Sequence, residues 1–347
     1  MKISLKKYIS IFALLLISLV LAVVHHSMLS QKKYYLSIAA IMKNEKPYLK
    51  EWIEYHLMQG VEHFYLCDND STDGTKEYLS PYIKKGIITY IPKPGINQQL
   101  RCYEQITKDH KDETYWLAII DLDEYLVPLQ KSDMRSFLKE FEDVSEVSLQ
   151  WLNYGDSNLF SRKDGLITET FTSHAKKINH TVKSIVKPEK VIDFSIFGAN
   201  HYTRVEGQSV NEYHKPVKFM LSYHISADKA RVNHYILKSF EEFVYKKNRG
   251  HPEGTQIDYE YYFFHNDNSL KDDKTLARFI PKLKRRMQKS PLATISHPRP
   301  NINATSFEDL IFTPTEASMV LNKEIKTEMN FYELEKAYKN NYPTYKE

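Results

Sequence analysis

The chain has 347 residues, 42% of them hydrophobic, enough for one large core or two small ones, which excludes a wholly disordered protein. Lys and Arg number 48 against 44 Asp and Glu, and a net charge of +4 over this length carries no nucleic-acid signature, so a polyanion partner is not implied. Tyr (25) and Phe (17) are plentiful and Gly (10) is scarce, a balance that suits a packed α/β protein, and no internal repeat is present. The two cysteines, Cys67 and Cys102, exclude a disulfide framework. One bridge is allowed by count, but two buried free thiols are the expectation, following the buried habit of free Cys.

At the N-terminus, Lys2, Lys6 and Lys7 precede an apolar run from Ile9 to Val24 that only Ser10 and Ser18 interrupt. At about 1.5 Å per residue the run falls just short of the roughly 30 Å hydrocarbon thickness, with Tyr8, His25 and His26 at the interfaces. A cleaved signal peptide would share the basic flank and apolar centre, but no small-x-small site follows. The expectation is an uncleaved anchor over residues 9–26, after a short tail (1–8) and before a stem (27–35). The preceding lysines favour a cytoplasmic N-terminus and a single-pass, type II-like orientation, which Lys32 and Lys33 partly oppose.

Tyr34 to Met42 reads as a first strand, closed by Lys43-Asn44-Glu45. From Tyr48 to Gln59, Leu49, Trp52, Ile53, His56 and Leu57 recur at three- and four-residue steps and predict a one-sided helix, with Gly60 as its C-cap. His63 to Cys67 is a second strand, and Asp68 to Thr75 is a turn-rich segment opening a helix through Leu79. Ile87 to Ile91 makes a third strand, Gln98 to Lys108 a helix, and Tyr115 to Ile120 a buried strand ending at Asp121. Alternating strands and helices predict an open, mainly parallel α/β sheet. Ligands of such sheets lie beyond the carboxyl ends of the strands, where three polar clusters fall: Asn44-Glu45, Asp68 to Asp73, and Asp121 to Glu124.

Asp121 and Asp123 are one residue apart at the end of an apolar strand, so in extended geometry both carboxylates point the same way. Such a hard-oxygen pocket suits Mg²⁺ or Mn²⁺, which completes its shell with water and substrate phosphates. An Asp-x-Asp after a strand also opens haloacid-dehalogenase-type phosphatases. Here, however, Tyr125 stands where those have Thr or Val, and about 80 residues of α/β pattern precede the motif.

Several motifs, in order, resemble glycosyltransferase family 92. They are Lys43-Asn44-Glu45, Tyr48-Leu49, Glu51 to His56, Gly60 to Tyr65, Asp68 to Asp73 and Asp121 to Leu126, then Lys183 to Pro188, Asn233-His234-Tyr235, Lys238-Ser239, Glu241 to Phe243, Lys246 and Arg249-Gly250. The resemblance covers about residues 36 to 270, the expected catalytic domain, and leaves 271–347 as a C-terminal helical extension. It implies a glycosyltransferase A-type fold, a UDP-sugar donor with galactose as the usual sugar, a divalent cation (Mn²⁺ or Mg²⁺), a glycan or glycolipid acceptor and an inverting mechanism.

Carried over by position, the resemblance puts Asp68 or Asp70 on the uracil or ribose, Asp123 on the metal and Asp121 on the ribose or metal, with Asn44 and Glu45 at the donor. His234 is a candidate third metal ligand, against the alternative of a packed core histidine. Lys246 and Arg249 are candidates for the diphosphate, since cations there stabilise developing phosphate charge; a solvated helix end is the alternative. An inverting transfer needs a base, for which Asp156, preceded by a Trp and a Gly as in A-type acceptor loops, is the candidate and Glu169 the second choice. A non-catalytic carbohydrate-binding or scaffold protein with a transferase-like fold is the alternative function.

Overall fold

The computed structural model describes residues 14–18, 32–197, 200–218, 224–250, 254, 257–295 and 310–341. Of the expected anchor only residues 14–18 are described, as helix, and the rest of 9–26 lies outside the described residues. Among the described residues no helix is long and apolar enough to cross a membrane.

Strand β1 (Tyr34–Met42) forms where its apolar run predicts. Strands β2 (His63–Asp68), β3 (Ile88–Pro92) and β4 (Thr114–Ile119) join it in the order β3-β2-β1-β4, every pairing parallel. Parallel pairing needs crossovers. Helices α1 (Lys46–Met58), α2 (Thr75–Lys84) and α3 (Gln99–His110) provide them. Pro47 stands in the first turn of α1, where a missing N–H leaves no helical bond unmade. After the helix, Gly60 turns the chain out with φ +89°, a conformation that suits glycine.

The one-sided helix expected around Trp52 is corrected: α1 is buried on every residue from Tyr48 to His56, because helix α6 (Ile280–Lys289) packs on the side turned away from the sheet. The cysteine expectation is corrected as well. Cys67 on β2 and Cys102 on α3 are bridged, with Cα atoms 6.2 Å apart, because crossover α3 lies across the sheet over β2.

Beyond β4 the sheet continues as β7 (Val182–Val186), β6 (Glu146–Asn153), β11 (Ala230–His234) and β5 (Glu124–Pro128), with β10 (Ser209–Val210) beside β6. Among the described residues, β4–β7, β6–β7 and β5–β11 pair antiparallel while β6–β11 and β6–β10 pair parallel, so the sheet is mixed and its pairs are mainly parallel, as expected. A separate hairpin, β8 (Val191–Phe197) with β9 (Asn200–Val205), lies against α3. Helices α4 (Phe240–Arg249) and α5 (Tyr259–His265) follow β11. The C-terminal part adds β12 (Ile311–Phe312), α7 (Pro314–Leu321), β13 (Met329–Asn330) and α8 (Phe331–Asn341). Its Phe312, Leu321 and Phe331 share one apolar cluster with Phe240, Phe243 and Tyr259, so this part braces α4 and α5 from behind.

Candidate active site

The residues that hold the Asp121–Asp123 turn come from α1. Trp52 Nε1 donates to the Glu124 carbonyl (2.8 Å) and Tyr55 Oη to the Leu126 carbonyl (3.0 Å). His56 donates from Nδ1 to the Trp52 carbonyl and accepts the Leu126 N–H at Nε2 (3.3 Å), a neutral ring whose pKa burial pushes down to about 3. The Trp-Ile-Glu-Tyr-His run is thus a clamp on β5, the strand that leaves the acidic turn. The same helix also fixes α4: Tyr48 Oη donates to Glu242 (3.0 Å), which closes a capping box with Ser239 at the start of α4.

Between the strand ends and α4–α5 lies a cavity of about 300 Å³, lined by Glu45, Asp121, Asp123, His234, Lys246 and Arg249 among others. Of the eleven residues assigned from the sequence or the resemblance, these six are brought together. Each carboxylate faces a cation: Asp121 meets Lys183 Nζ at 2.6 Å, Asp123 meets Lys246 Nζ at 2.8 Å, and Glu45 meets Arg249 at 2.5 Å. Lys183 also lies 3.3 Å from Glu124, and Arg249 donates to the Lys43 carbonyl at 2.7 Å.

Burial works to raise the Asp123 carboxyl, yet Lys246 and His234 hold it well below the usual carboxylate range. Glu124 shows the opposite balance, since burial, only partly offset by Lys183, pushes it up to about 8. Burial lowers His234 despite the pull of Asp123, so its imidazole is neutral near pH 7.

The fit to a divalent cation rests on Asp123 Oδ1 and His234 Nε2, which are 3.5 Å apart. Adjacent ligands of one octahedral ion are about 3 Å apart when each lies at about 2.1 Å. Among the described residues no three His, Cys, Asp or Glu side chains converge on one point. The pair therefore fits a cation that draws most of its shell from substrate oxygens and water.

The other assigned residues stand elsewhere. Asn44 (φ 51°) accepts from the Thr72 N–H (2.7 Å), Asp68 from the Ser71 N–H (2.8 Å) and Tyr90 Oη, and Asp70 (φ 57°) from the Gly95 N–H (2.8 Å). These three shape the loops after β1 and β2 and are not among the residues lining the cavity.

Asp156, the candidate base, is not among the residues lining the cavity. It is fully buried, and its oxygens accept from Asn158 N, Asn268 Nδ2, Asn266 Nδ2 and Tyr262 Oη, so no lone pair is left for a substrate. Gly155 before it has no room for a Cβ against Asn266 and Asn268. Glu169 is exposed, ion-paired with Lys284 (2.7 Å), and is also outside the cavity.

Several lining residues escaped the sequence assignment: Lys183, Trp151, Tyr261 and His265. Lys183 carried a signal, since an ammonium inside the apolar strand Val182–Val186 needs a buried partner. Its 4% exposure and two carboxylates meet that need. His265 belongs to α5, where its ring packs on Tyr261 at 4.3 Å between centroids. Burial first, then His234 and Lys246, lower its pKa to about 4.

Acidic groups at the carboxyl ends of parallel strands, faced by ammonium and guanidinium groups across the cavity, form a site where a charged ligand can bind. The chain belongs to glycosyltransferase family 92, whose model matches residues 32–263. It is 27% identical over 188 residues to a glycosyltransferase family 92 protein of Arabidopsis thaliana, covering 50% of this chain and 32% of that one. A family 92 protein of Oryza sativa subsp. japonica is 23% identical over 218 residues, 61% of this chain and 35% of its own length. The chain thus spans about a third of the length of these curated relatives. Among solved structures it is similar to residues 1–349 of S. aureus TarS (15% identity, TM-score 0.30, 44% of this chain and 47% of that chain). A second is 4-diphosphocytidyl-2C-methyl-D-erythritol synthase from Anaerococcus prevotii (12%, TM-score 0.28, 46% and 73%).

Proposed function

We propose that this chain, on a glycosyltransferase A-type fold, transfers a hexose, galactose first among them, from a UDP-sugar to a hydroxyl of a glycan or glycolipid acceptor, with inversion. The observation that carries the reading is the cavity in which Asp121 and Asp123 face Lys183 and Lys246. Lys246 and Arg249 are the groups for the diphosphate, where their fixed positive charge matches the charge that builds as the sugar leaves. Asp123 and His234 would hold Mn²⁺ or Mg²⁺, and the ion, when bound, adds Lewis-acid neutralisation of the same diphosphate.

Inversion requires a proton acceptor beside the acceptor hydroxyl. The cavity's carboxylates are ion-paired, whereas the imidazole of His265 is engaged with no carboxylate among the described residues and is neutral, and we assign it that role. The anchor proposed over residues 9–26 would carry the domain on the side of the membrane opposite the basic N-terminus. The Cys67–Cys102 bridge supports that side, because disulfides persist in oxidising compartments. A panel of UDP-sugars monitored for UDP release, with and without Mn²⁺, tests the reading. UDP-galactose turnover that needs both Mn²⁺ and an acceptor is expected, and a panel with no turnover of any donor contradicts it.

A further inference from the structure

A second cavity, of about 420 Å³, opens off helix α1 and shares no lining residue with the first. Lys50 enters it from α1. The residue is 8% exposed, and its Nζ donates to one partner among the described residues, Thr294 Oγ1, at 2.9 Å. An ammonium carries three donors, so two have no partner among the described residues. Lys50 makes no ion pair with a described residue, and the carboxylate one turn along, Glu54, is already engaged by Arg286 (3.1 Å) and Tyr82 Oη. A buried cation without a counter-charge is unfavourable. Burial accordingly lowers the Lys50 pKa, against a weaker pull from Glu54.

The acids bordering this cavity do not supply the missing charge. Glu51 accepts from the backbone N–H groups of Ile167 (2.7 Å) and Thr168 (3.0 Å), and Asp164 stands exposed at the rim. Arg162, whose Nε is 3.6 Å from Glu242, adds a second cation to the wall, its guanidinium 4.8 Å above the Tyr48 ring. The volume is that of a small-ligand site, and the rings of Tyr48 and Tyr78 give it flat apolar walls.

We propose that this cavity is a second ligand site, which takes the carboxylate or phosphate of a monosaccharide-sized anion with Lys50 as its counter-ion. The site goes beyond the proposed transfer and stands whether or not UDP-galactose is the donor.

Calorimetric titration of the full chain with glucuronate, glucose 6-phosphate and neutral glucose tests it. At least one anion should bind about tenfold or more tighter than glucose, the difference expected of one hydrogen-bonded charge. Glucuronate alone would identify a uronic acid, and glucose 6-phosphate alone a sugar phosphate. Lys50→Met, checked for its fold by circular dichroism, should weaken the anion about tenfold or more, Lys50→Arg should keep it, and UDP affinity should not change in either. Anion binding that glucose matches, that survives Lys50→Met, or that saturating UDP displaces would overturn the proposal; the comparison with glucose and the competition with UDP need no variant.

Discussion

The two halves of the sheet use their polar residues in opposite ways. In the β1–β4 half, three polar groups beyond the strand ends accept from loop backbone N–H groups, Asn44 from Thr72, Asp68 from Ser71 and Asp70 from Gly95, and Glu45 alone of the assigned residues there reaches a distant cation, Arg249. At the seam with the β5–β11 half, Asp121 and Asp123 instead meet Lys183, His234 and Lys246, which come from 60 to more than 120 positions further along the chain. A polar group satisfied by a loop N–H sets shape, whereas a carboxylate matched by a distant cation can exchange that partner for a ligand. The difference teaches that nearness to a strand end marks the edge on which a site lies, and that a distant cation partner marks the residues of that edge for which we propose chemistry.

The sharpest break of this comparison is Asp123→Ala, which should lower turnover by about 10³-fold or more while the fold persists, since a charge aimed at the developing diphosphate is lost; steady-state kinetics beside a melting curve check it. His265→Gln comes next, with kcat down about 10²-fold and UDP affinity nearly unchanged. Because burial keeps that imidazole deprotonated down to about pH 4, the acid limb of the kcat profile should fall only near that pH and not near 6.5. A limb near 6.5 that persists in His265→Gln would assign proton transfer to another group.

Asp156→Ala tests the reverse case, a carboxylate with a purely structural task. Four donors lose their acceptor, so the variant should lose about 2–4 kcal/mol of stability and melt several degrees lower, with kcat of the folded fraction little changed. A normal melting curve with a collapsed kcat would return Asp156 to the role of base. The smallest effect is expected at Asp70→Asn, an exposed group on one loop N–H, with a cost of about 1 kcal/mol or less and UDP affinity changed by less than about tenfold.

Much of the first half was legible in the sequence because its signals are local. The run Tyr34 to Met42 is the strand it predicts, and the acidic turn after β4 stands at the cavity. The spacing in α1 gave the helix but hid that its outer face is covered, since α6 lies more than 200 residues further on. Cys67 and Cys102 form no motif at 35 positions apart, and only the packing of α3 over β2 brings them into bonding range. The surroundings of Asp156 were hidden for a related reason: a loop acid after Trp and Gly looks available until Tyr262, Asn266 and Asn268 arrive from another part of the chain. His265 gave no local signal at all.

The central claim is that Asp123, with Lys246 opposite and His234 beside it, is where a nucleotide diphosphate and a divalent cation meet, and calorimetric titration of UDP into the full chain tests it most directly. UDP should bind tightly with Mn²⁺ present, weakly in excess chelator, and not measurably to Asp123→Ala under either condition. Equal UDP affinity in wild type and Asp123→Ala, with Mn²⁺ and in chelator alike, would contradict the account.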